Sequence, residues 1–101
     1  MAVSFEFKEK YNFNDLVEIV RILREPGGCP WDMEQTHQSI RENFLEETYE
    51  VIEAIDTNNR ELMQEELGDV LLQVLMHSDM ARTEGWFTID DVADGISQKL
   101  I

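Results

Sequence analysis

Two acidic pairs at helical spacing, Glu47-x-x-Glu50 and Glu66-x-x-Asp69, carry the chemistry of this chain. Each pair places two carboxylates one turn apart on the same side of a helix. The residues between the pairs suffice to end one helix, turn and start an antiparallel partner. Four carboxylates converging between two helices repel one another unless cations neutralise them. Oxygen-only donors suit a hard ion such as Mg²⁺, with Mn²⁺ as a substitute. Spacing alone is weak support. With 22 acids in 101 residues, chance supplies about five such pairs, and solvated acids on helix surfaces are common. The surroundings of each pair therefore decide between a solvated face and a cation site.

The elements that must position these groups are helical. A first helix runs from about Asn12 or Asn14 to Leu23, with Leu16, Ile19, Val20 and Leu23 on one face, and Pro26-Gly27-Gly28 stops it. A second begins between Asp32 and Ser39 and continues to about Ile55, with Phe44, Thr48, Val51, Ile52 and Ile55 as its inward stripe. Glu47 flanks that stripe and Glu50 lies further round, whereas Glu46 and Glu53 point more nearly outward. Asn58 with Glu61 reads as a capping box opening a third helix, about Asn59 to Thr83. Val70 to Met76 is apolar almost all round, the pattern of a buried helix. Yet Glu66, Asp69, Gln73 and His77 fall within a stripe about 80° wide. Polar groups aligned along a buried helix must be paired or face a wet site, which weighs toward a cation at the acids. Met63, Met76 and Met80 read as core fill.

Gly85 ends the third helix. Thr88 and Asp91 then resemble a cap and its acid, with Phe87 against Val92 as a staple. A fourth helix, from Ile89, turns Val92, Ala93, Ile96 and Leu100 toward a partner. Residues 1–11 read as an extension ahead of a single domain at 12–101; Val3, Phe5 and Phe7 alternate like a short strand, and an extension without one fits equally. The fold expected is an all-α antiparallel bundle of four to five helices, completed by dimerisation.

Composition removes several functions. A net charge of −14 opposes general binding to nucleic acid or to anionic membranes, although metal ions reverse the local sign at a phosphate site. No apolar run is long enough to span a bilayer. Cys29 is the only cysteine, which fits a reducing cytoplasm and excludes an internal disulfide or a cysteine zinc cluster. Di-iron chemistry needs two Glu-x-x-His units, and only Glu34-x-x-His37 is present. EF-hand, Walker A, nucleophile-elbow and dinucleotide fingerprints are absent. Without a glycine-rich cradle, phosphate chemistry rests on metal. His37 and His77 read as structural histidines rather than ligands. Trp31 reads as a core or lid aromatic, or as a ring that stacks on a base.

Three blocks then match a known pattern: Gly28-Cys-Pro-Trp-Asp-Met-Glu-Gln-Thr-His37, Phe44-Leu-Glu-Glu-Thr-Tyr-Glu-Val-Ile-Glu-Ala-Ile55 and Glu65-Glu-Leu-Gly-Asp-Val-Leu-Leu-Gln73. In this order and spacing they resemble the MazG-type nucleoside triphosphate pyrophosphohydrolases, over about residues 13–101. The resemblance implies an all-α fold, a homodimer or higher homo-oligomer, and Mg²⁺-dependent cleavage of nucleoside triphosphates to the monophosphate and pyrophosphate. The cell would use this in house-cleaning or in control of the nucleotide pool. It implies Glu47, Glu50, Glu66 and Asp69 as metal ligands, Glu47 as the residue that orients or deprotonates water with Glu46 as the alternative, and Trp31, Gln35 and His37 in nucleotide binding. Family members continue after Lys-Leu with a basic Arg-Arg-His-Pro-His segment. Lys99 matches its start and belongs with the nucleotide contacts, but the chain stops at Ile101. The expectation is a domain cut short at its C-terminus, with metal binding better supported than turnover. A helical dimerisation or regulatory module that binds metal or nucleotide without hydrolysis is the alternative.

Overall fold

The computed structural model describes residues 5–101, and every regular element in them is an α-helix. The helices are α1 (Phe13–Arg24), α2 (Pro30–Glu34), α3 (Arg41–Asp56), α4 (Arg60–Thr83) and α5 (Ile89–Leu100). The all-α expectation is met with five helices. Of the alternating N-terminal residues, Val3 lies outside the described residues, and Phe5 to Phe7 form no strand.

The chain divides into two compact units, one running through Gln35 and the other Thr36–Ile101. In the first, Asn12 and Asp15 cap α1 reciprocally, each side chain bonding the other's backbone N–H. Past the end of α1 the backbone folds back tightly, with Cys29 N–H donating to the Leu23 carbonyl at 2.8 Å. Gly28 permits this approach. A Cβ there would lie 2.4 Å from the Leu23 carbonyl oxygen and 2.5 Å from that of Ile22. Pro30 then opens the single-turn α2.

The second unit is the α3–α4 antiparallel pair followed by α5. Its entry differs from the sequence expectation: α3 begins at Arg41, not between Asp32 and Ser39. Thr36 and Ser39 instead close a turn on each other, Ser39 Oγ accepting from Thr36 N–H at 2.8 Å and Thr36 Oγ1 from Ser39 N–H at 3.1 Å. Hydroxyls that satisfy local backbone donors compete with helix in this way.

The α3–α4 turn also corrects the expectation. Asn58 is not the N-cap of α4; that role belongs to Asn59, whose side chain accepts from Leu62 N–H. Asn58 instead takes φ 52°, ending α3 in the left-handed conformation. Asn59 N–H bonds back to the Ala54 carbonyl and Asn58 N–H to that of Ile55, the paired bonds of a Schellman ending. Gly85, at φ 76°, does the same for α4, with Trp86 N–H on the Ala81 carbonyl and Gly85 N–H on that of Arg82. Thr88 and Asp91 form the expected capping box at the start of α5.

The core of this unit holds Ile40, Ala54, Leu75, Met76, Met80 and Ala81. Met76 and Met80 are buried as expected, and Met63 is half-buried. The expected α3 stripe is displaced. Phe44, Glu47, Val51 and Ala54 face inward, while Thr48, Ile52 and Ile55 are exposed. Residues 44, 47, 51 and 54 recur at the 3-4-3 spacing of a single seam against one neighbouring helix. The periodicity is broad enough to serve two faces, and α4 covers only one of them.

Candidate functional site

Both acid pairs lie on α3 and α4, and the antiparallel pairing brings them level. One carboxylate oxygen from each of Glu47, Glu66 and Asp69 lies within 4.8 Å of the others. Glu50, though exposed, shares a hydrogen bond with the Glu66 carboxyl, and Glu47 shares one with Asp69. Three of the four expected ligands thus converge, and Glu50 is exposed beside Glu66, outside that triad. Glu46 is exposed and outside the triad. Its charge still reaches Glu47.

Glu66 is 8% exposed, and its Oε2 has no hydrogen-bond partner among the described residues. The bond shared with Glu50, then burial, then the charges of Glu50, Asp69 and Glu47, push its carboxyl up to about 7 from the ordinary 4.5. Burial pushes Glu47 up as well, with the charges of Asp69, Glu50 and Glu46 adding to it. Carboxylates so placed either retain protons or take a cation. The orphaned, nine-tenths-buried Glu66 oxygen and the all-oxygen donor set fit a hard divalent ion. A solvated acidic face explains neither.

Further along the same helix pair is an arrangement that sequence reasoning missed. His37 Nδ1 and His77 Nδ1 meet at 2.6 Å, so one ring donates and the other accepts. Their rings stack at a centroid separation of 4.9 Å. Trp86 stacks on His37 at 5.6 Å and Phe44 on His77 at 5.7 Å, giving the column Trp86–His37–His77–Phe44. The Schellman ending of α4 delivers Trp86, and the Thr36–Ser39 turn delivers His37. Burial, then the neighbouring His37, lower the His77 pKa, which favours an unprotonated Nδ1 able to accept in the shared hydrogen bond. The polar stripe pointed to His77 alone; no local spacing links residues forty positions apart.

The remaining expected nucleotide residues are not on α3 or α4. Trp31 and Gln35 belong to the first compact unit, where Gln35 Nε2 donates to the Trp31 carbonyl at 2.8 Å and the Trp31 ring is exposed. Lys99 is exposed in the last turn of α5.

Comparison with known proteins places this geometry. Residues 35–101 match the family described as the MazG nucleotide pyrophosphohydrolase domain. The chain is 54% identical over 91 residues to a Bacillus subtilis protein named YabN and described as uncharacterized, covering 90% of this chain and 19% of that protein. It is 54% identical over 89 residues to the Thermotoga maritima nucleoside triphosphate pyrophosphohydrolase/pyrophosphatase MazG, covering 88% of this chain and 35% of that one. Identity to the Escherichia coli K12 nucleoside triphosphate pyrophosphohydrolase is 46% over 86 residues, covering 84% and 33%. The chain thus spans only 19% to 35% of the length of these relatives.

Proposed function

We propose that this chain, which belongs to the MazG nucleotide pyrophosphohydrolase domain family, hydrolyses nucleoside triphosphates to nucleoside monophosphate and pyrophosphate in a Mg²⁺-dependent reaction. The observation that carries this reading is the convergence of Glu47, Glu66 and Asp69 within 4.8 Å, with Glu66 buried and one of its oxygens unpartnered. Glu50 completes the donor set through its bond to Glu66. A hard divalent ion bound there supplies Lewis acidity toward phosphate oxygens and acidifies water.

The protein's own residues do the rest. Glu66 and Asp69, fixed on the long helix α4, hold the cluster in place. Glu47, its carboxyl raised by burial and by Asp69, is suited to take a proton from the attacking water. Glu46 raises Glu47 further through its charge, and in this reading assists it rather than replacing it. Water adds across the bond between the α- and β-phosphates, and the electron pair leaves with pyrophosphate. The net charge of −14 requires that bound cations, rather than a basic surface, admit the triphosphate. Trp31, Gln35, His37 and Lys99 are proposed nucleotide contacts on the resemblance alone.

A second copy of the chain completes the unit in this reading. Leu45, Tyr49, Ile52 and Ile55 line α3 on the side away from its seam with α4, and Val92, Ile96 and Leu100 line α5, all exposed. Apolar stripes of this extent are typical of surfaces that pack against a partner.

The test is a panel of nucleoside triphosphates with Mg²⁺, the products identified by chromatography, on this chain and on a C-terminally extended form. Monophosphate and pyrophosphate in equal amounts, abolished by chelation, are expected. No pyrophosphate from either form overturns the reading. Nucleotide binding without product points instead to a non-catalytic regulatory module.

A further inference from the structure

The Trp86–His37–His77–Phe44 column has a proton requirement that the chemistry of the acid cluster does not use. His37 and His77 meet Nδ1 to Nδ1 at 2.6 Å, and a hydrogen bond between two ring nitrogens needs a single proton between them. With His77 Nδ1 accepting, His37 Nδ1 donates, and each neutral ring then offers one place for a further proton. On His77 that place is Nδ1 itself, so protonation ends the bond and sets two N–H groups against each other. On His37 it is Nε2, which is buried and has no hydrogen-bond partner among the described residues. An N–H formed there has no acceptor. Both rings therefore take up a proton more readily once they have parted.

The charged groups around the pair do not relieve this. Arg41, on α3, lines a groove beside His77 and carries the same sign as the added proton. On α4, Asp79 is paired with Arg82. At the α4–α5 corner, Glu84 and Asp90 are exposed and Asp91 is bound to Thr88. Burial and then His37 hold His77 below its ordinary 6.5, and no carboxylate offsets them. What the pair holds in turn is that corner. Trp86 follows the left-handed Gly85 and lays its ring on His37 at 5.6 Å, tying the corner to the turn ahead of α3. The other bonds of the corner are local: Trp86 N–H on the Ala81 carbonyl closes α4, and the Thr88–Asp91 box opens α5. α5 itself buries no residue, so little apolar area holds it down.

We propose that the His37–His77 pair is a proton-operated latch: an added proton parts the two rings, frees Trp86 and loosens α5, while α3 and α4 stay packed. Because α5 carries the exposed Val92, Ile96 and Leu100, the latch sets how firmly that apolar face is presented. The inference uses none of the acid-cluster residues and stands apart from the triphosphate reading. Its direction follows from the linkage. The latched form holds His77 below 6.5 and the open form restores it, so opening takes up a proton. The open population rises as pH falls below about 6.5, by at most about tenfold per pH unit for each proton taken up.

The test is amide hydrogen exchange at about pH 7.5 and about pH 5.5, on either side of the ordinary histidine value. Rates are corrected for the intrinsic effect of pH and read separately for α5 and for the centre of α4, in wild type and in His77→Phe. Wild type should lose about tenfold in α5 protection at the lower pH and keep its protection in α4. His77→Phe keeps a ring in the column but has no titrating nitrogen facing His37, so its α5 protection should not fall. Three results overturn the proposal: equal α5 protection at both pH values in wild type, equal losses in α4 and α5, or the same α5 loss in His77→Phe. Should the variant not fold, NMR titration of the wild-type imidazoles decides. Loss of α5 protection at the pH where the His37 and His77 signals change supports the latch, and loss at any other pH overturns it.

Discussion

The acid end of the α3–α4 pair and its histidine end are built on the same two helices, and both bury polar atoms. They differ in how those atoms are satisfied. At the histidine end each Nδ1 finds the other at 2.6 Å, and aromatic rings close the column on both sides. At the acid end the groups are all of one sign, share hydrogen bonds only by retaining protons, and leave Glu66 Oε2 without a partner. The histidine end pairs its two Nδ1 atoms within the chain and leaves only the uncharged His37 Nε2 without a partner among the described residues. The other is arranged around something the chain itself does not supply, and Gln73, between them, shares the orphaned oxygen of the acid end. Unsatisfied burial of like charge is therefore a stronger pointer to function here than burial of polar groups as such.

The largest expected effect lies at the acid end. Asp69→Asn keeps the shape of the side chain but removes a charge, and should lower Mg²⁺-dependent turnover by more than about 100-fold, beyond what loss of a merely supporting partner costs. Unchanged helicity by circular dichroism with lost turnover is the expected pair of results. Wild-type rates in that variant would remove the ground for treating the two ends differently.

At the histidine end the expected loss is in stability. His37→Ala deletes the partner of a half-buried His77 and the middle ring of the column, and should destabilise by about 1–3 kcal/mol in urea denaturation. A cost near zero would mean that the 2.6 Å contact is not maintained in solution, and the histidine end would then be no more self-sufficient than the acid end.

The two ends also differed in how much of them could be read from the sequence. Glu66, Asp69, Gln73 and His77 were legible as one stripe because helix period alone aligns them, and Glu47 and Glu50 followed from the antiparallel turn. The His37–His77 pair was not, since it depends on where the Thr36–Ser39 turn leaves α3's entry, and two hydroxyls bonding each other's backbone decide that locally. Asn58 was misread as a cap because Asn serves both helix starts and left-handed helix ends; its φ of 52° and the backbone bonds of Asn58 to Ile55 and Asn59 to Ala54 distinguish them. The α3 stripe was misread for a different reason. Ile52 and Ile55 are apolar and in period, and periodicity does not say whether the partner belongs to the same chain.

A third contrast comes from removing charge without removing shape. In the metal-free protein at a pH well above 7, where Glu66 is ionised, Glu66→Gln takes one negative charge out of the cluster and leaves a neutral donor opposite Glu50. Thermal unfolding should shift upward by a few degrees in chelator, and the gain should vanish or reverse when Mg²⁺ is added. A lower Tm in chelator would mean that Glu66 is held by contacts rather than merely tolerated.

The smallest effect separates the ends by the sign of their pH dependence. Glu66 titrates near 7 in the fold and near the ordinary 4.5 when unfolded, so between these values the folded chain binds more protons. Stability from this group therefore rises as pH falls from about 7 to about 4.5. His77 is lowered from 6.5 by burial and by His37. The folded chain binds fewer protons there, and stability from this group is lost as pH falls below about 6.5. The two slopes oppose each other in wild type, and single variants uncover each one. In chelator, Glu66→Gln removes the acid contribution, and its Tm should fall more steeply than that of wild type as pH drops from 7 toward 5.5. His77→Phe keeps a ring in the stack and removes the titrating group, so its Tm should fall less than wild type, or rise, over the same interval. Saturating Mg²⁺ should push wild type toward the steeper decline, because protons compete with the cation at the acid cluster alone. Parallel Tm curves for all three proteins would show that neither end titrates as its surroundings require.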